Sequence, residues 1–132
     1  MKIKYACILF SFTDGPDSVS ITPVESTLTE GVVLDSTNIV CQELGNCIPS
    51  CKIKWTGPKG FSKEEVTNSL KLFTGSNQLL RTQSGTYICT VTNTNTSSEI
   101  TKQTTVHIQC KYVFLGSVLV VVSAFTLQTY PD

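Results

Sequence analysis

The chain is predicted to fold as an all-β, two-sheet antiparallel sandwich, and three observations predict it. Trp55 lies fourteen residues after Cys41, and Cys89 closes the run QSGTYIC at residues 83–89. Two cysteines on strands of opposed sheets, with a tryptophan packed on the bond between them, form one kind of sandwich core. Around these positions the side chains alternate: Thr37, Ile39 and Cys41; Ile53 and Trp55; Tyr87, Cys89 and Val91. Period-two alternation is the mark of a half-buried strand. Finally, Tyr87 stands two residues before the second cysteine, where a phenol can bond back to the chain at the corner entering the strand.

The 132 residues allow one domain with a small remainder at each end. At the start, Lys2 and Lys4 precede the apolar run YACILFSF (5–12), so residues 1–13 read as a signal-peptide-like segment. No A-x-A site follows, and Thr13 is the nearest cleavage boundary; the competing reading is an N-terminus left by a fragment. Cleavage there would remove Cys7.

Gly15-Pro16-Asp17 forms a joint into the domain, which spans 15–110. Residues 18–24 read as the first strand, with Pro23 suited to a kink at a sheet edge. Glu30-Gly31 turns toward a second strand over about 36–42, and the linking run VVLDST (32–37) is longer than such a link needs. Gly57-Pro58-Lys59-Gly60 is a turn after the Trp55 strand. SKEEVTNS (62–69) is a polar connection or a short edge strand, and Lys63, Glu64 and Glu65 read as solvated. Residues 70–73 are the candidate for the next strand, 86–92 for the Cys89 strand and 100–109 for the last, with the loop NTNTSS (93–98) between the final two. Asn95-Thr96-Ser97 in that loop is an N-glycosylation sequon.

The segments GPDSVSITP (15–23), TEG (29–31), the Cys41/Trp55/Cys89 set and LLRTQSGTYIC (79–89) carry a resemblance. The chain resembles immunoglobulin-superfamily domains, C2- or I-type, of carcinoembryonic-antigen-like or hemicentin-like cell-adhesion proteins, over about residues 15–110. Two positions depart from the family pattern: Gln83 replaces the usual Asp, and Thr74 and Ser76 stand where an apolar alternation usually leads to Leu79. The resemblance implies an immunoglobulin-like sandwich, a Cys41–Cys89 bond, core roles for Trp55 and Tyr87, and a recognition or adhesion function.

The run CQELGNCIPSCKIKW (41–55) holds two further cysteines. Cys47 and Cys51 bracket Ile-Pro-Ser, so Pro49 can pre-set the turn that joins them. A zinc site would need four ligands, and no second pair exists, since the one histidine, His107, lies on a predicted strand. A Cys47–Cys51 disulfide is expected. Loop closure assigns roughly 4 kcal/mol to the long Cys41–Cys89 bridge and only about 2 kcal/mol to the short one.

Residues 112–127 are nearly continuously apolar, and the uncharged stretch runs to Tyr130. A helix of that length would span about 28 Å, enough for a bilayer. A C-terminal transmembrane helix over 112–130 is therefore expected. A GPI signal and a mispredicted chain end are the alternatives, and GPI cleavage would fall inside the last strand. Cys110 is left over at the boundary.

Composition narrows the function. Ten basic and ten acidic residues give no net charge, which argues against a nucleic-acid partner. Six cysteines point to an oxidising compartment. There is no GxSxG, no phosphate-cradling glycine loop and no carboxylate pair placed to converge. No enzyme, cofactor, metal or small-molecule substrate is expected. The expected role is recognition of a protein ligand, with homophilic binding as one form, at the plasma membrane with an extracellular domain or in secreted form. Parity selects the contact face: if Ile53, Trp55, Tyr87, Cys89, Val91, Val106 and Ile108 point inward, then Lys52, Lys54, Ile88, Thr90, Thr105 and His107 point out. This outward set reads as an apolar point within a polar rim that carries few acidic groups.

Overall fold

A computed structural model describes residues 13–115, 118–122 and 127–129 of the chain; the signal-like segment at 1–13 lies almost wholly outside them. β1 (Ser18–Thr22) pairs antiparallel with β3 (Val40–Leu44), which pairs with β6 (Ser69–Lys71). β2 (Glu25–Thr29) instead joins a five-stranded sheet with β4 (Cys51–Thr56), β5 (Ser62–Val66), β7 (Gly85–Asn93) and β8 (Glu99–Gln109), in the order β2-β8-β7-β4-β5. The predicted first strand thus breaks at Pro23, whose missing N–H suits a point where the chain changes sheets. Its first half pairs with β3 and its second half runs parallel to β8.

The two sheets share one core. Trp55, Ile53, Tyr87, Val91 and Val106 from the larger sheet meet Ile21, Ile39, Cys41 and Leu70 from the smaller, all at most 3% exposed except Leu70 at 5%. The Cys41–Cys89 disulfide ties β3 to β7. The Trp55 indole N–H donates to the Leu70 carbonyl at 3.0 Å, a second tie between the sheets. Phe61, Phe73 and Tyr87 pack edge-to-face in a triangle, with ring centroids 5.4–6.2 Å apart.

Several expected boundaries move. The second strand starts at Val40, not near Ser36, and Leu34–Ser36 form a 3₁₀ turn. The long VVLDST link has a role: backbone bonds join Gly31 and Val32 to Leu79, Leu34 to Asn77 and Asp35 to Gly75. That segment supplies the polar stretch 74–78 with backbone partners, so Leu79 is fully buried without a regular strand before it. Of the two readings of SKEEVTNS, the edge strand holds, over 62–66 as β5. Within it, the half-buried Lys63 is not solvated as expected: its ammonium donates to the Lys71 carbonyl at 2.9 Å and Thr74 Oγ1 at 3.0 Å. Burial holds its pKa below the usual lysine value.

The C-terminal expectation is corrected. The described residues of 112–130 are not helical: β9 (Lys111–Leu115), β10 (Val118–Val122) and β11 (Leu127–Thr129) form a separate antiparallel sheet, and no described helix is long and apolar enough to cross a membrane. Val113, Val118 and Val120–Val122 are β-branched, which lowers helix propensity and favours strands.

Candidate recognition face

The outer surface of the five-stranded sheet can be read as rows fixed by strand register. At one end, Val66, Lys52, Thr92 and Glu99 lie side by side across β5, β4, β7 and β8. The next row is Glu64, Lys54, Thr90 and Thr101; the third is Ser62, Thr56, Ile88 and Gln103. Beyond them Thr86, Thr105 and Glu25 align, then His107 and Thr27.

The structure brings Lys52, Lys54, Ile88 and Thr90 together in adjacent rows. Thr105 lies one row further on, and His107 at the far end. Ile88 is 40% exposed between Thr56 and Gln103. Lys52, Lys54, Thr56, Glu64, Thr90, Thr92 and Glu99 line a shallow concavity of about 440 Å³ beside it.

The face holds more carboxylates than the sequence reading gave it. Glu64 comes from β5, Glu25 from β2 and Glu99 from the first position of β8, and only knowledge of the two edge strands and their register places the first two there. Lys52 Nζ lies 3.5 Å from Glu64 Oε2, and His107 Nε2 3.0 Å from Glu25 Oε1. Both pairs are half-exposed or more, so each contributes at most about 1 kcal/mol. The Lys52–Glu64 pair cancels charge locally, and the face as a whole mixes threonine hydroxyls with charges of both signs around Ile88, with Val66 exposed in its first row.

The loops at the Glu99 end are held firmly. Asn93, 1% exposed, closes β7. Its Nδ2 lies 3.0–3.2 Å from the carbonyls of Asp14, Gly15 and Ile48, and its Oδ1 accepts from the N–H groups of Asn95 and Thr96. Ser50 and Thr94 bond at 2.8 Å, and Cys47–Cys51 closes the neighbouring loop. This leaves Asn95 on an exposed turn adjoining the Glu99 row, so a glycan there would border the face. Asn93 was not singled out from the sequence; a polar residue at an inward position of the alternating Tyr87-Cys89-Val91 strand was its only signal.

At the opposite end, the Tyr87 hydroxyl donates to the Gln83 carbonyl, and the Gln83 side-chain oxygen accepts from Leu80 N–H at 2.8 Å. Gln83 thereby closes this corner twice, its carbonyl holding the phenol and its neutral amide holding the chain at Leu80. Burial raises the Tyr87 pKa to about 12. Half-exposed Cys110 is a free thiol with Arg81 Nη1 2.9 Å from its sulfur. Among the described residues no cluster of His, Cys, Asp or Glu is placed to hold a metal ion.

No protein-family model matches the chain, and no curated protein matches it.

Proposed function

We propose that the chain is an extracellular, non-enzymatic immunoglobulin-like domain that recognises another protein with the outer face of its larger sheet. Two disulfides belong to an oxidising, extracellular or secreted setting. The immunoglobulin reading is supported by Trp55 buried in one core with the bonded Cys41 and Cys89, and by the tyrosine corner. The setting of this proposal is extracellular, at a cell surface or in secreted form, and retention of the chain in carbonate-washed membranes separates the two.

The observation that carries the recognition reading is Ile88, exposed at the centre of a hydroxyl-rich face of mixed charge beside a concavity. A desolvatable apolar point inside a polar rim is how protein interfaces are built. The two shifted titratable groups among the described residues, Lys63 and Tyr87, are both engaged in hydrogen bonds that hold the fold. Beads coated with the full chain test the reading. Ile88→Glu and Lys54→Glu should each abolish capture by cells or by other coated beads while circular dichroism stays unchanged. Full capture by both folded variants would move the contact off this face.

A further inference from the structure

β8 has eleven residues, but β2 covers only five of them, Thr105–Gln109. The sheet change at Pro23 takes the preceding strand away, so beside Glu99–Gln103 no described strand pairs. Which backbone groups face that gap follows from parity. Asn93 N–H donates to the Ser98 carbonyl, so residues 98, 100 and 102 bond toward β7. Glu30 N–H donates to the Gln109 carbonyl, so the odd-numbered residues turn toward β2's side. Glu99, Thr101 and Gln103 therefore present their N–H and C=O groups to the open edge, and all three side chains are exposed.

We propose that this edge pairs with the same edge of a second copy, antiparallel about Thr101, joining two five-stranded sheets into one. The register is selected by side chains. Centred on Thr101, each Glu99 faces Gln103 of the second copy, whose amide can donate to the carboxylate, and the two Thr101 residues face each other, a favourable cross-strand pair. On the other side of the strand, half-buried Ile100 meets the aliphatic stem of Lys102. Centring on Glu99 would set like charges opposite, and centring on Gln103 would drive the second copy into the chain at Val24 and Glu25, which closes the gap at Thr104. An open row of strand hydrogen-bonding groups is a ready template for pairing. The two-fold axis required is that of an isologous dimer.

This inference goes beyond the recognition reading, because the second copy docks on the sheet edge and not on the Ile88 face, and its test is independent of that face. The full chain should show a concentration-dependent dimer by sedimentation, with the amides of Glu99, Thr101 and Gln103 exchanging fast when dilute and protected when concentrated. Gln103→Glu sets two pairs of carboxylates opposite each other and should weaken the dimer by roughly tenfold. Adding Glu99→Lys should restore it, because each lysine then faces a carboxylate. A dimer indifferent to Gln103→Glu, or not restored by the double change, would overturn the proposal. So would a monomer at all concentrations, or edge amides already protected when dilute, which would mean that a segment of the same chain fills the gap.

Discussion

Three residues show how tightly this fold is specified. A Cβ on Gly57 would sit 2.3 Å from the Tyr87 ring, so Gly57→Ala overpacks the corner and should lower stability by about 2 kcal/mol in a denaturant titration. The Tyr87 phenol has a pKa raised by burial to about 12 from its ordinary value of 10.0. Its neutral form is the one the fold favours, so this contribution is fully present below pH 10 and is lost as pH rises through 12. Tyr87→Phe should cost about 1 kcal/mol at neutral pH and remove that part of the alkaline loss. Asn93 makes the third case. Asn93→Asp keeps the shape but turns a carboxylate toward the carbonyls of Asp14, Gly15 and Ile48. It should destabilise by about 3 kcal/mol, and amide exchange should show residues 13–17 released first.

At the scale of elements, the two disulfides do different work. Cys41–Cys89 spans 48 residues and joins the sheets, whereas Cys47–Cys51 spans 4 within a loop also held by Asn93 and Ser50. Replacing Cys41 and Cys89 by alanine should cost about 4 kcal/mol and leave little folded domain; replacing Cys47 and Cys51 should leave a cooperative unfolding transition shifted by about 2 kcal/mol or less. The central strands were legible because parity survives any exact boundary: each of Ile53, Trp55, Tyr87, Cys89, Val91, Val106 and Ile108 is buried. The edges were not. Nothing local in SKEEV says that it pairs with β4, since its alternation of half-buried Lys63 with exposed Glu64 arises from a tether to Lys71. The strands at 111–115, 118–122 and 127–129 were not legible from apolar length, which helix and strand share; β-branched composition was their signal.

At the scale of the molecule, the proposed recognition face is what the register assembles from distant residues. Lys52, Lys54, Ile88 and Thr90 could be chosen from the sequence because they alternate with core positions. Glu64, Glu25 and Glu99, which bring acidic groups to the face, could not be placed without the positions and register of the strands that carry them. The proposed contact is therefore one surface of the larger sheet rather than the smaller sheet or the loops. Bead aggregation by single variants on three surfaces tests this most directly: Ile88→Glu on the face, Gln42→Glu on the outer side of β3, and Ile48→Glu in the disulfide loop. Loss of aggregation by Ile88→Glu alone is predicted; undiminished aggregation by folded Ile88→Glu, with loss by Gln42→Glu or Ile48→Glu, would contradict it.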